Sequence, residues 1–170
     1  MADEKAKIVG RHQRIAFMNT DTTGTTPKYE RMTGFTNMTN NKNPKEYNRQ
    51  YVDKESEDND VVGYSPATEY SFDRHTNTPV HEVIAKVHDG ELTGSAALVD
   101  IVIVDLFTAE EDGKCAARKR TYAIIPDNDG DGTDALIYTG SFKSKSDVET
   151  GTAVLSADGK TATYTAPTMP

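Results

Sequence analysis

The densest set of metal-ligating oxygens in the chain is Asp127-Asn128-Asp129-Gly130-Asp131-Gly132. Oxygens at alternate positions and glycine at the sixth match the opening of a calcium loop. The twelfth position, which supplies a bidentate carboxylate in such loops, is Tyr138, and strand-like segments flank the run. The competing reading is an Asp/Gly-rich β-turn loop. The histidines are His12, His75, His81 and His88. His81 and His88 share a helical segment about two turns apart, too far to hold one ion, so they read as surface or half-buried polar positions. Cys115 is the lone thiol; mid-strand, it reads as a small buried hydrophobe. Asp100 and Asp105 point to opposite faces of one strand and form no acid pair. No serine lies in Gly-x-Ser-x-Gly, and no phosphate-binding glycine pattern occurs. The expectation is a protein that is not an enzyme and uses no catalytic residue, cofactor or metal.

Charge suggests contact rather than catalysis. Lys54-Glu55-Ser56-Glu57-Asp58-Asn59-Asp60 is acidic and lies between two alternating segments. It is either a solvated hairpin tip or a binding element. Lys114, Arg118 and Arg120 share one strand face with Ala116 and Tyr122. Three cations on one face repel unless something opposes them. That face either is solvated or meets the acidic segment 53–60 of another subunit. The expected interface residues are therefore Tyr47, Arg49, Tyr51, Asp53, Glu55, Glu57, Asp58, Asp60 and Tyr64, with Arg118 and Arg120 opposite.

The elements that must position these residues are mostly strands. The 170 residues suit one domain, and the 35 % hydrophobic content is low for one. A chain this polar has long solvated loops or completes its fold against neighbours. With 27 acidic and 19 basic residues the net charge is −8, which argues against a nucleic-acid-gripping surface. The start has no apolar stretch of a secretory signal, and no apolar run is long enough to cross a bilayer; the expectation is folding in a reducing cytoplasm.

Residues 1–7 read as a flexible arm and Ile8–Met18 as a first strand; Tyr29–Met38 has room for one more. Pro44–Asp53 and Val61–Phe72 alternate and read as the arms of a long hairpin over residues 44–72. One helix follows, with Thr78 as N-cap, Pro79 at its first position, a Val80-Val83-Ile84-Val87 stripe and Gly90 as its stop. Ser95–Phe107 is nearly continuous Ala, Leu, Val and Ile, which calls for cover on both faces. Lys114–Pro126, Ala135–Phe142, Thr152–Leu155 and Thr161–Thr165 complete the strands, the last two around an Asp-Gly turn. The fold class is mainly β (α+β by count): a β-sandwich or barrel of antiparallel strands with one flanking short helix and a long hairpin.

This order resembles that of bacteriophage major tail tube proteins, shared by long non-contractile tails and the inner tubes of contractile ones. The resemblance spans about residues 8–166. It rests on the polar first strand, the Tyr-rich hairpin from Tyr47 to Tyr70 and the helix after Asn77-Thr78-Pro79-Val80. It continues in Arg120-Thr121-Tyr122-Ala123-Ile124-Ile125-Pro126 before the Gly/Asp loop, in Tyr138-Thr139-Gly140-Ser141-Phe142 and in the terminal Thr/Gly-rich hairpin. It implies homo-hexameric rings stacked into a hollow tube through which DNA passes without specific binding. It also implies sheets paired across subunits, and a hairpin and N-terminal arm that reach neighbours. The implied partners are further copies and other tail proteins (tape measure, tail terminator, baseplate or tip), with no membrane. The implied location is the virion tail, assembled in the host bacterial cytoplasm. Six chains at −8 each would place about −48 on a ring, and the part facing the lumen would repel phosphates. The terminal segment Leu155–Thr165 also resembles an immunoglobulin-like surface domain, which would imply an adhesion or glycan-binding module. A calcium-modulated enzyme is a third reading and rests on residues 127–132 alone.

Overall fold

Strand β8, Cys115–Asp129, organises the molecule because its two halves have different partners. The computed structural model describes residues 5–21, 23–130 and 132–170. The N-terminal half of β8 pairs with β10, Glu149–Leu155; its C-terminal half pairs with β9, Ile137–Ser144. Along its other edge it pairs with β7, Leu98–Asp105. The remaining large-sheet strands are β1, Arg14–Asn19; β2, Tyr29–Arg31; β3, Phe35–Asn41; β6, Ala67–Asp73; and β11, Thr161–Thr165. The sheet order is β10-β11-β2-β1-β7-β8-β9-β6-β3, and the β10–β8 pairing closes its first six strands into a small antiparallel barrel. From the barrel wall β9, β6 and β3 extend as an open wing. This single sheet closed on itself differs from the two separate sheets of an immunoglobulin sandwich.

Alternation of side chains divides the core in two. One set faces the barrel interior: Phe17, Tyr29, Val102, Val104, Cys115, Ala117, Ala153 and Ala162. The opposite set, including Met18, Val99, Ile101, Tyr122 and Ile124, joins Tyr70, Phe72, Tyr138 and Phe142 of the wing. The near-continuous apolar character of β7 follows directly, since Val102 and Val104 serve one core while Val99 and Ile101 serve the other. Both of its faces are thus covered within the chain. Cys115 is buried, as a small hydrophobe in the barrel interior.

Helix α1, Pro79–Gly90, lies over the second core. Thr78 is its N-cap residue and Pro79 opens it, while Glu91, not Gly90, takes the left-handed conformation at its end (φ 48°). Val80, Ile84, Ala85 and Val87 are buried. So are His81 and His88, which correct the expectation of surface or half-buried histidines. The reason is that both are satisfied. His81 Nε2 donates to the Thr33 carbonyl (2.6 Å) while its Nδ1 accepts the His75 backbone N–H (3.0 Å). His88 Nε2 lies 2.6 Å from the Tyr70 hydroxyl. None of the helices of the described residues is long and apolar enough to cross a membrane.

Three boundaries differ from expectation for local reasons. The first strand begins at Arg14, because Gln13 bonds back to Gly10 through both its side chain and its backbone and closes a 3-10 turn at Arg11–Gln13. The segment Tyr29–Met38 holds two strands rather than one, separated by Gly34 at φ 76°. Of the arm expected over residues 1–7, residues 1–4 lie outside the described residues, and residues 5–7 are exposed and irregular.

Candidate functional site

The expected hairpin over 44–72 is divided between two sheets. β4, Pro44–Arg49, and β5, Asp58–Tyr64, pair only with each other. β6 instead lies in the large sheet between β9 and β3. The division falls at Asn43, which adopts φ 46°, and at Ser65-Pro66; Asn43 and Ser65 bond across the bend. The β3–β6 pair thus continues into the β4–β5 arm with a change of direction. Val62 and Tyr64, grouped by alternation with Thr68, Tyr70 and Phe72, are exposed on the arm, whereas those three are buried in the wing.

No residue of β4 or β5 is buried. Tyr47, Tyr51, Val61, Val62 and Tyr64 are 48–65 % exposed and Val52 fully so. An isolated two-stranded hairpin is marginally stable in water, and apolar side chains concentrated on one protruding element mark a contact surface. The arm also carries six carboxylates against three cations between residues 44 and 64. Lys54 pairs with Asp58 at 2.7 Å, while Asp53, Glu55 and Glu57 project from the tip.

Arg118 and Arg120 stand on the body, not beside that tip. Arg14 meets Asp105 through two bonds of 2.6 and 3.2 Å, and Arg118 reaches the same carboxylate at 3.1 Å. One carboxylate thus serves two guanidinium groups. Arg120 Nε is buried and has no hydrogen-bond partner among the described residues. Lys114 does not join this group; it pairs with Asp112 at the turn, 2.9 Å away. An open cavity of about 350 Å³ lies here, walled by Arg14, Lys42, Tyr64, Arg118, Arg120 and Val148 among others. Of the expected interface residues, Tyr64, Arg118 and Arg120 therefore meet at the arm's root. Tyr47, Arg49, Tyr51, Asp53, Glu55, Glu57, Asp58 and Asp60 lie along the arm or at its tip. Arg14 and Lys42 wall the same cavity, and the sequence alone does not single them out. Arg14 lies in a strand marked by its apolar residues, and Lys42 in a Thr/Asn-rich segment without periodicity.

Asp127 and Asp129, considered for metal binding, belong to no cluster of ligating side chains among the described residues. Asp127, Asn128 and Asp129 stand in the extended end of β8, where Asn128 faces Thr139 and Asp129 faces Tyr138. Asp131 lies outside the described residues. Among the described residues no group of three or more His, Cys, Asp or Glu side chains is placed to hold a metal ion. Buried tyrosines are held in their protonated form. Tyr29 is pushed up to about 12 by burial, with Asp100 and Glu149 nearby, and Tyr70 is raised mainly by burial.

The fold of this chain is shared with solved chains of tail and baseplate assemblies. No protein-family model and no curated protein matches the sequence. Among solved structures, the chain is similar to the SPP1 tail tube at 11 % identity and a TM-score of 0.64, over 82 % of this chain and 77 % of that one. It is similar to a chain in the tail of an empty GTA particle, refined with C6 symmetry, at 10 % identity and a TM-score of 0.59, over 83 % and 97 % of the two chains. It is also similar to a chain in the sixfold-symmetrised baseplate of the anti-feeding prophage, at 10 % identity and a TM-score of 0.51, over 86 % and 97 %.

Proposed function

We propose that this chain is a structural subunit that assembles into hexameric rings, and that the rings stack into a hollow tail tube serving as a conduit for DNA. The observation that carries this reading is the β4–β5 arm, which displays Tyr47, Tyr51, Val52, Val61, Val62 and Tyr64 with no core of its own. Such an arm gains its apolar burial only from another molecule. The likeness in fold to chains of a tail tube and of sixfold assemblies supports the choice of assembly. The net charge of −8 supports a conduit that repels DNA phosphates rather than gripping them. Other tail proteins, such as tape measure, terminator, and baseplate or tip components, would meet the tube inside and at its ends. The place of action would be the virion tail, after assembly in the host bacterial cytoplasm. Native mass spectrometry over a concentration series tests the reading. Masses at multiples of six chains are expected; a dominant dimer or trimer would overturn the hexameric ring.

A further inference from the structure

We propose that the cationic groove at the root of the arm is the receptor for the acidic arm tip of a second copy of this chain. The inference deepens the tube-subunit reading and rests on it.

The groove is an anomaly in an acidic protein. It adjoins a second cavity of about 670 Å³, with Arg14, Asn40, Thr68, Ile103 and Tyr122 lining both. Together the two are lined by Arg11, Arg14, Arg31, Lys42, Arg118 and Arg120 and, among the described residues, by no carboxylate. The buried carboxylate of Asp105, which lines neither cavity, pairs with two of these cations, Arg14 and Arg118. The buried Arg120 Nε has no partner among the described residues, and an unsatisfied buried charged donor is costly to retain. A guanidinium in that state favours a carboxylate, which forms short charge-assisted bonds and can be held bidentately.

The same chain displays the matching group. Asp53, Glu55 and Glu57 project from the arm tip. The tip cannot reach its own groove: β4 and β5 run six and seven residues outward from the groove's edge, about 20 Å at strand rise. The donor must be another copy. Tyr64 and Val148 at the groove rim are 61 % and 49 % exposed and give the apolar arm a surface to pack on. Two charged surfaces of opposite sign set the register of assembly as well as its strength.

Zero-length carbodiimide coupling of assembled full-length protein tests this. In a mixture of isotopically light and heavy chains, the Lys42 amine is expected to join Glu55 or Glu57 in light–heavy pairs. Charge reversal of the groove (Arg118→Glu with Arg120→Glu), or of the tip (Glu55→Arg with Glu57→Arg), removes this cross-link. Either raises the concentration needed for assembly about tenfold or more; the tip reversal leaves the melting of the body unchanged, whereas the groove reversal also loses the Arg118–Asp105 pair and is compared at a temperature where circular dichroism shows it folded. Combining both reversals restores assembly, and the carboxylates introduced at positions 118 and 120 then couple to Lys54 at the tip. Normal assembly by either reversed variant overturns the groove assignment and leaves the tube reading standing. So does a groove that retains duplex DNA while the tips cross-link elsewhere. A wild-type chain that stays monomeric overturns the tube reading, and the groove assignment with it.

Discussion

His81 shows how a polar residue becomes part of a core. Its Nδ1 accepts the His75 N–H and its Nε2 donates to Thr33, so the fold uses the neutral tautomer. Burial holds the His81 and His88 pKa values below the ordinary range; for His81 the Thr33 hydrogen bond and Asp73 oppose it while His75 and Arg74 add to it, and for His88 Asp129 and Asp89 oppose it. A histidine whose folded pKa is depressed stabilises the fold fully above its unfolded pKa, and that stability is lost as pH falls from there through the folded pKa. The thermal midpoint is therefore expected to drop as pH falls below the ordinary histidine range, about 6.5. His81→Gln, which keeps a donor and an acceptor, flattens the drop at some cost at pH 7; an unchanged slope would remove His81 from the account. Gly140 is a second test at this scale. A Cβ there would stand 2.5 Å from both the Ile125 carbonyl oxygen and the Tyr70 hydroxyl. Gly140→Ala is expected to destabilise by about 1–3 kcal/mol in denaturant melts. Asp105 is a third, since it opposes both Arg14 and Arg118. Asp105→Asn is expected to cost about 1–2 kcal/mol, and the loss shrinks when Arg118 is also replaced, which a double-mutant cycle measures.

At the scale of elements, much of the fold was legible. The Thr78-Pro79 start and the Val80-Val83-Ile84-Val87 stripe located α1, because capping and apolar spacing are local properties. The apolar run of β7 announced burial on both faces. The bend at Asn43 and Ser65-Pro66 was less legible: alternation continues through it from Val62 to Phe72, so period alone does not reveal that two sheets are involved. The buried histidines escaped because residue type suggests polarity, while their partners, Thr33 and Tyr70, are distant in sequence. The acidic tip and the Arg118-Arg120 face could both be read, but not the orphaned Nε or the contribution of Arg14, which depend on strand pairing. The arm itself has a separable role. Replacing residues 50–57 by an Asn-Gly turn is expected to leave the melting of the body unchanged within about 0.5 kcal/mol, because the arm shares no core with it. The same variant is expected to lose ring stacking in sedimentation; tubes of normal length would show that the arm tip is dispensable.

For the whole molecule, closure of the six-strand barrel rests on the pairing of β8 with β10, whose partners run from Glu149 with Lys119 to Ala153 with Cys115, 30 to 38 positions apart. No local pattern announces that pairing, although each strand was visible. The closed barrel provides a rigid body, the wing leaves β3 as an edge strand with one partner, and the arm exposes apolar surface. A body with an open edge and an uncovered arm suits repetition of the same contact around a ring. The central claim is that repetition, and cryo-electron microscopy of the purified full-length chain at rising concentration tests it most directly. Stacked sixfold rings around an open channel, with each arm seated on a neighbouring copy, are expected. Uniform monomers at every concentration, or assemblies without a channel, would contradict it.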